Sequence, residues 1–386
     1  MKIGFDISQT GRSKAGCGYF AHAIIQAMLD AESKYSFDIY PSFGDFYFDA
    51  RMPLRNPYEN PRSCYRPRHF SLESARRFWT SPDLESALGR PALLHSNNFW
   101  CPTQLKTSRL VYTFYDAGFA INPAWAPDAL RVGCFKCVFK SALVADWVVA
   151  ISQASRAHYL QLFPHFPPER IRVIYPCSRF ADANRAGVRP KALSGLAEGG
   201  FWLSVGTIEP RKNQRRLAEA YARYRAQGGA AMPLVFAGGK GWLMDDFQSH
   251  LQTLGIAESV LMTGYVSDDE LIWLYRNCYA NLYPSLFEGF GLPVLEGMQF
   301  GAVTVCSNTT SLPEVAGDAA WLIDPEDTAQ WAAAMLRLAA SPAERATLRS
   351  GAKRQAAGFN WQASATQLLA LYEEALNHPK RSGQLS

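Results

Sequence analysis

Short apolar runs alternate with longer stretches whose apolar positions recur every three to four residues, from one end of the chain to the other. The short runs suit strands buried on both faces, and the longer ones suit helices with one apolar stripe. The pattern therefore predicts β-α-β units wound over parallel sheets. In the first half it predicts strands at Ile3–Ile7, Ser36–Tyr40, Ala92–Ser96, Arg109–Thr113, Trp147–Ile151 and Arg172–Ile174, with helices over Tyr19–Asp30, Arg131–Ala145 and Gln153–Phe163. Between Arg51 and Phe78 no clean period holds. Arg51, Arg55, Arg62, Arg66 and Arg68 stand among Tyr58, Tyr65 and Phe70, and long surface loops are expected there. Past Pro176 the pattern lapses into Ala, Gly, Arg and Ser as far as Gly200, the expected interdomain linker. A second α/β series follows, with strands predicted at Phe201–Val205, Leu234–Ala237, Val260–Thr263, Ala280–Tyr283, Val303–Ser307 and Trp321–Ile323. Its helices are expected over Asn213–Gln227, Met244–Leu254, Asp268–Asn277 and Pro293–Phe300, and three more close the chain.

With 386 residues the chain has room for two domains, each large enough for its own core. The predicted division is an N-terminal Rossmann-like domain over residues 1–180, a linker at 181–200 and a second Rossmann-like domain at 201–358. Ligands are expected beyond the carboxyl ends of the strands, in a cleft between the two. A content of 48% hydrophobic and 19% charged residues excludes a disordered or fibrous chain, and a net charge of +5 gives no argument for nucleic acid. The start reads as a buried strand and not a signal peptide, and no stretch reaches the roughly 20 apolar residues of a membrane helix. A cytoplasmic protein is expected, touching a membrane only peripherally. The eight cysteines are scattered, and the lone Cys134-x-x-Cys137 has no second pair, so buried thiols are expected and no structural zinc.

The densest chemistry lies in NLYPSLFEGFGLPVLEGMQFG, from Asn281 to Gly301. A strand ends at Tyr283, a loop carries Glu288-Gly289-Phe290-Gly291, and Pro293 suits the first turn of a helix. Glu296 falls about one turn into that helix. Positions 288 and 296 would not share a face of a continuous helix, so the spacing makes sense if the loop folds Glu288 back and both acids reach one ligand. Gly289 and Gly291 let the backbone approach it, and the free N–H groups of the helix start suit a diphosphate. Taken singly, each acid is as well explained by solvation or the helix dipole; the pair with its glycines and proline points to function.

This segment resembles glycosyltransferase family 4, retaining enzymes of the GT-B fold marked by E-x7-E, here Glu288 and Glu296. The resemblance implies that Glu288 contacts the donor sugar near the reacting carbon and that Glu296 binds the ribose. It also implies that the amides at Phe290, Gly291 and Leu292 hold the diphosphate. A second match is SVGTIEPRKN, Ser204 to Asn213, where Gly206 allows a tight turn before two cations. Arg211 offers a planar fork and Lys212 a point charge for a pyrophosphate leaving group, at a helix start where cations are otherwise unfavourable. Tyr265 and Val266 match the stretch that reads the nucleobase, Ser311–Ala319 the end of the donor pocket, and Gly16 and Gly18 the glycine loop over the donor phosphates. The last helix, 359–378, is implied to return to the N-terminal domain ahead of a tail at 379–386.

One position departs from the family pattern. Where its members carry a His-Asp pair, this chain reads Tyr115-Asp116. Tyrosine donates a hydrogen bond but is a poor base near neutral pH, which leaves Asp116 as the candidate acceptor-side acid or base, with a turn-capping role as its plain alternative. His95, at a strand end, is a further candidate for the cleft against the ordinary reading of a structural histidine. No D-x-D ends a strand, so metal independence is expected, with no cofactor beyond the nucleotide-diphosphate sugar itself. The resemblance points to a hexosyl donor such as GDP-mannose and to a glycan or polyprenyl-linked glycan acceptor, in cell-surface polysaccharide (O-antigen or capsule) synthesis. The Arg51–Phe78 stretch is the candidate contact for an anionic lipid head group at the inner membrane. Two other readings stand beside this: an NAD(P)-dependent oxidoreductase, from Gly16-x-Gly18-x-x-Ala21, and a non-catalytic sugar-binding module.

Overall fold

The computed structural model describes residues 1–11, 16–46, 48–66, 69–180 and 184–381, and the chain divides into two compact units. The first comprises residues 1–119, 129–177 and the chain from Asn360 on; the second comprises 120–128 and 178–359.

The first unit is built on seven strands: β1 (Lys2–Asp6), β2 (Ser36–Tyr40), β3 (Ser63–Tyr65), β4 (Leu93–Ser96), β5 (Arg109–Phe114), β6 (Trp147–Ala150) and β7 (Ile171–Val173). They lie in the order β3-β2-β1-β4-β5-β6-β7, every pair parallel. The central strands β4 and β6 are buried from end to end, because crossover helices cover both faces. The order reverses between β1 and β4, which opens a crevice beyond their carboxyl ends. The Trp361–Asn377 helix packs on the Gly16–Asp30 helix, with the Phe20 and Trp361 rings 5.9 Å apart, as the returning helix was expected to do.

The Arg- and aromatic-rich stretch is more ordered than its sequence suggests. It contains β3 and a helix at Leu72–Trp79 capped by Ser71. Some of its side chains are engaged inside the unit. The Arg62 guanidinium donates to the carbonyls of Leu29 and Ala31 at 2.5 and 2.6 Å, ending the Gly16–Asp30 helix. Arg66 pairs with buried Asp38, and the buried Tyr58 hydroxyl meets His22 Nδ1 at 2.9 Å. Arg68 lies outside the described residues. Residues 51–62 form loops as expected, with Arg51 and Arg55 exposed, and β3 and the Leu72–Trp79 helix are the additions to that expectation.

The second unit repeats the design with β8 (Trp202–Val205), β9 (Leu234–Ala237), β10 (Val260–Gly264), β11 (Ala280–Tyr283), β12 (Thr304–Ser307) and β13 (Trp321–Ile323). The all-parallel order β10-β9-β8-β11-β12-β13 reverses between β8 and β11. Two differences from the predicted domain boundaries stand out. Residues 120–128 belong to this unit, and the stretch expected to be a linker is part of its core. Phe180 and Leu193 pack with Phe201, Leu203 and Trp273. Gly187 (φ +77°) lies so close to the Asp268–Asn277 helix that a Cβ would stand 2.4 Å from the Trp273 nitrogen. A glycine is required there, and composition alone reads the same feature as looseness.

Candidate active site

The carboxyl ends of β8 and β11, at the reversal of strand order, carry the predicted cations and the first predicted acid. After β8, Gly206 (φ +147°) turns the chain so tightly against Gly238 that a Cβ on Gly238 would meet the Gly206 oxygen at 2.1 Å. A short 3-10 turn at Pro210–Lys212 follows, and Asn213, in left-handed conformation (φ +60°), leads into the Gln214–Ala226 helix. The Asn213 amide donates to the carbonyls of Pro284 and Pro325 at 3.1 and 2.8 Å, which fixes this turn to the loops after β11 and β13. Arg211 and Lys212 thus sit before the helix and not within its first turn.

Glu288 is the centre of the cluster and is only 6% exposed. One carboxylate oxygen accepts from Lys212 Nζ at 2.5 Å and from the Tyr283 hydroxyl at 2.8 Å; the other accepts from Arg211 at 3.1 Å. Burial alone would raise its pKa, but Lys212 and then Arg211 outweigh that and hold it down at about 2. Arg211 also binds the Phe287 carbonyl at 2.8 Å and buried Glu209 at 2.8 Å. Two carboxylates therefore balance two cations. The loop beneath is braced from the next strand connection: the Thr310 hydroxyl accepts the Glu288 amide at 3.1 Å, and the Ser311 hydroxyl is shared between the Glu288 and Phe290 carbonyls at 3.0 and 2.8 Å.

Gly291 (φ +112°) ends the loop, and a Cβ there would stand 2.6 Å from Leu312 Cδ2. The Leu292–Gln299 helix begins at once, with Pro293 in its first turn. Among the described residues the Gly291 and Leu292 amides find no acceptor, so they remain open to an anion at a helix start. Phe290 is buried, its ring 5.7 Å from that of Phe359.

Glu296 has partners of its own. Only 1% exposed, it takes Arg179 at 3.0 Å and the Tyr275 hydroxyl at 3.3 Å, while Arg211 and Lys212 go to Glu288. Burial pushes the Glu296 carboxyl up, and Arg179 opposes it. The two acids thus have separate basic partners, Arg179 for Glu296 and Lys212 with Arg211 for Glu288. Each acid has its own cation, and the Gly289–Gly291 loop runs between them. Tyr265 and Val266 follow β10 at the same end of the sheet; the Tyr265 side chain is 81% exposed, while Val266 packs against the core.

The predicted first-unit residues are placed as follows. Gly16 and Gly18 form the first turn of the Gly16–Asp30 helix, well after β1 ends at Asp6. That is not the immediate strand-to-helix turn a dinucleotide fingerprint needs. The buried Tyr115 hydroxyl donates to the carbonyls of Asn97 and Cys17 at 3.1 and 3.4 Å. Asp116, beyond β5, accepts the Gly118 amide at 2.9 Å, the turn-capping geometry. His95 is wholly buried. Its Nδ1 lies 2.5 Å from the Tyr372 hydroxyl and its Nε2 2.8 Å from Thr113 Oγ1, and burial lowers its pKa to about 3. Thr113 donates on to Asn97 at 2.9 Å, so the network assigns the proton to Nε2. His95 is a structural histidine.

Sequence reasoning missed Glu209, Tyr283, Arg179 and Thr310. Glu209 and Tyr283 lie within quoted motifs and carried a signal; Arg179, in a stretch without period, carried none.

Two parallel α/β sheets with a cation–carboxylate cluster at a strand-order reversal define a nucleotide-handling transferase fold. The family described as glycosyl transferases group 1 matches residues 195–355, inside the second unit. O-antigen chain mannosyltransferase B of Escherichia coli is 34% identical over 307 residues, 78% of this chain and 78% of that protein. Among solved structures, sucrose-phosphate synthase from Thermosynechococcus elongatus superposes with TM-score 0.72 over 97% of this chain and 98% of that one, at 20% identity. Anabaena Alr3699/HepE in complex with UDP-glucose gives 0.69 over 97% and 100%, at 18% identity. The chain belongs to the group 1 glycosyl transferases. The oxidoreductase reading is thereby set aside.

Proposed function

We propose that this chain transfers a mannosyl group from a nucleotide-diphosphate sugar, GDP-mannose, to a glycan or polyprenyl-linked glycan acceptor, with retention of configuration, in O-antigen-type polysaccharide synthesis. The choice of mannose is supported by the 34% identical O-antigen mannosyltransferase. The observation that carries the transferase chemistry is the Glu288–Lys212–Arg211 cluster at the ends of β8 and β11.

In the reaction the bond between the sugar's anomeric carbon and the donor phosphate breaks, its electron pair leaving on the phosphate. Arg211, Lys212 and the open amides of Gly291 and Leu292 meet that charge. The acceptor hydroxyl bonds the same face of the anomeric carbon, and its proton passes to the departing phosphate. A carboxyl held near pKa 2 is a poor proton carrier at neutral pH, so Glu288 serves by position and negative charge beside a sugar that turns cationic. The two cations do the work a divalent metal would otherwise do, so transfer proceeds in EDTA. Asp116, in the first unit, is the acceptor-side group of this reading. Among the described residues no helix is long and apolar enough to cross a membrane; a lipid-linked acceptor is met by peripheral contact.

A thermal-shift screen with GDP, UDP, ADP and dTDP sugars, then a transfer assay of Glu288→Ala, tests the reading. Stabilisation by the GDP sugar and loss of transfer in the variant are expected. Wild-type transfer from no mannosyl donor contradicts the choice of sugar, and undiminished transfer by the variant contradicts the site.

A further inference from the structure

The helix at Asp128–Val144 is apolar on two faces. Cys134, Val138, Ser141 and Ala142 are buried against the first unit. At the helical spacing that points away from them, Val132, Phe135 and Phe139 are 40%, 46% and 46% exposed. The Phe135 and Phe139 rings stack with centroids 6.2 Å apart, so the two side chains form one raised apolar surface. Exposed Lys136 and Lys140 flank it one row round the helix, and after Asp128 the helix carries no acid. One apolar face of this helix packs inward, while the second, at Val132, Phe135 and Phe139, stands half-exposed beside cations.

We propose that Val132, Phe135 and Phe139, with Lys136 and Lys140, form a docking face for an anionic lipid bilayer. The spacing of the apolar anchors at i, i+3 and i+7, bordered by cations, matches an interfacial helix face. The lysines attract anionic head groups while the rings enter the acyl boundary. A stable protein partner needs roughly 800 Å² from each side, more than three side chains on one helix supply; a bilayer asks only for a few apolar anchors and positive charge. The proposal stands on the helix itself and rests on the transferase reading only for the idea that a lipid-linked acceptor is met at this face.

The test is sedimentation of the full chain with vesicles of phosphatidylglycerol and phosphatidylcholine, against vesicles of phosphatidylcholine alone, without substrates. Binding to the anionic vesicles that weakens with salt is expected. Phe135→Ser with Phe139→Ser, and separately Lys136→Glu with Lys140→Glu, should each lower it about tenfold or more. Transfer to a water-soluble acceptor should stay at parent values in both variants, and so should the thermal midpoint of the lysine variant, whose side chains are exposed; Phe135 and Phe139 also touch Phe119 and Phe163, so the serine variant is judged by its retained transfer. No binding by the parent, or parent-level binding by both variants, overturns the proposal. So does a parent dimer that the serine variant dissociates without changing vesicle binding. Binding by a parent that shows no transfer would overturn the transferase reading and leave this one standing.

Discussion

Glu288 is held by two cations and a phenol, and a donor diphosphate must compete with it for Lys212. Replacing the acid with its neutral isostere should therefore separate binding from chemistry. In Glu288→Gln, Lys212 and Arg211 are freed from one negative charge, so the nucleoside diphosphate should bind tighter than to the parent, read by calorimetry. Transfer should fall by about 10²-fold or more, because the charge beside the developing sugar cation is gone. The pH dependence follows from the same pair. The folded pKa of Glu288 is lowered from 4.5 to about 2, so the stability it contributes is complete above pH 4.5 and is lost as pH falls toward 2. In the parent, the pH–rate profile should carry no acid limb from this group above that window. In Lys212→Met the strongest opponent of burial is removed, the carboxyl rises, and an acid limb should move upward into the measurable range.

At the scale of elements, the site depends on two turns that admit few residues. Gly291→Ala places a methyl against Leu312 in a backbone conformation L residues avoid. It should lower stability by about 2 kcal/mol or more and abolish donor protection in a thermal-shift assay. Ser311→Ala removes the hydroxyl that ties two loop carbonyls and should cost about 1–2 kcal/mol, with a raised donor KM and a smaller change in kcat. Outside the Arg51–Phe78 stretch, most strands and long helices were legible to within about three residues. β9 and β13 are purely apolar runs, β8 and β11 carry one buried polar residue each (Ser204 and Asn281), and the Leu292 helix announces itself through Gly291 and Pro293. The loop around Glu288 was legible as a site because glycines and acids crowd together there. The pairing of Glu296 with Arg179 was not, because Arg179 comes from a stretch that reads as linker and reaches its partner only through tertiary packing. The same cause hid the order between Arg51 and Phe78, where Arg62 caps a helix remote in sequence.

Across the whole molecule, the last helix closes the first unit by a polar chain as well as by packing. Tyr372 reaches His95, which reaches Thr113 and then Asn97 beside the crevice of β1 and β4. Tyr372→Phe leaves the buried His95 Nδ1 without its donor and should cost about 1–3 kcal/mol, measured by urea unfolding. His95 adds a pH dependence of its own. Its folded pKa, near 3, lies below the ordinary 6.5, so the unfolded chain binds the extra proton and stability falls as pH drops from 6.5 toward 3. The central claim remains the one about the second unit, that the cations after β8 and the acid after β11 form a single transfer centre. The most direct test is kcat/KM for mannosyl transfer from GDP-mannose by Lys212→Met beside the parent. A loss of about 10²-fold or more, with an unchanged urea midpoint for the first unit's tryptophan signal, is the predicted result. Transfer at the parent rate by the folded variant would contradict it.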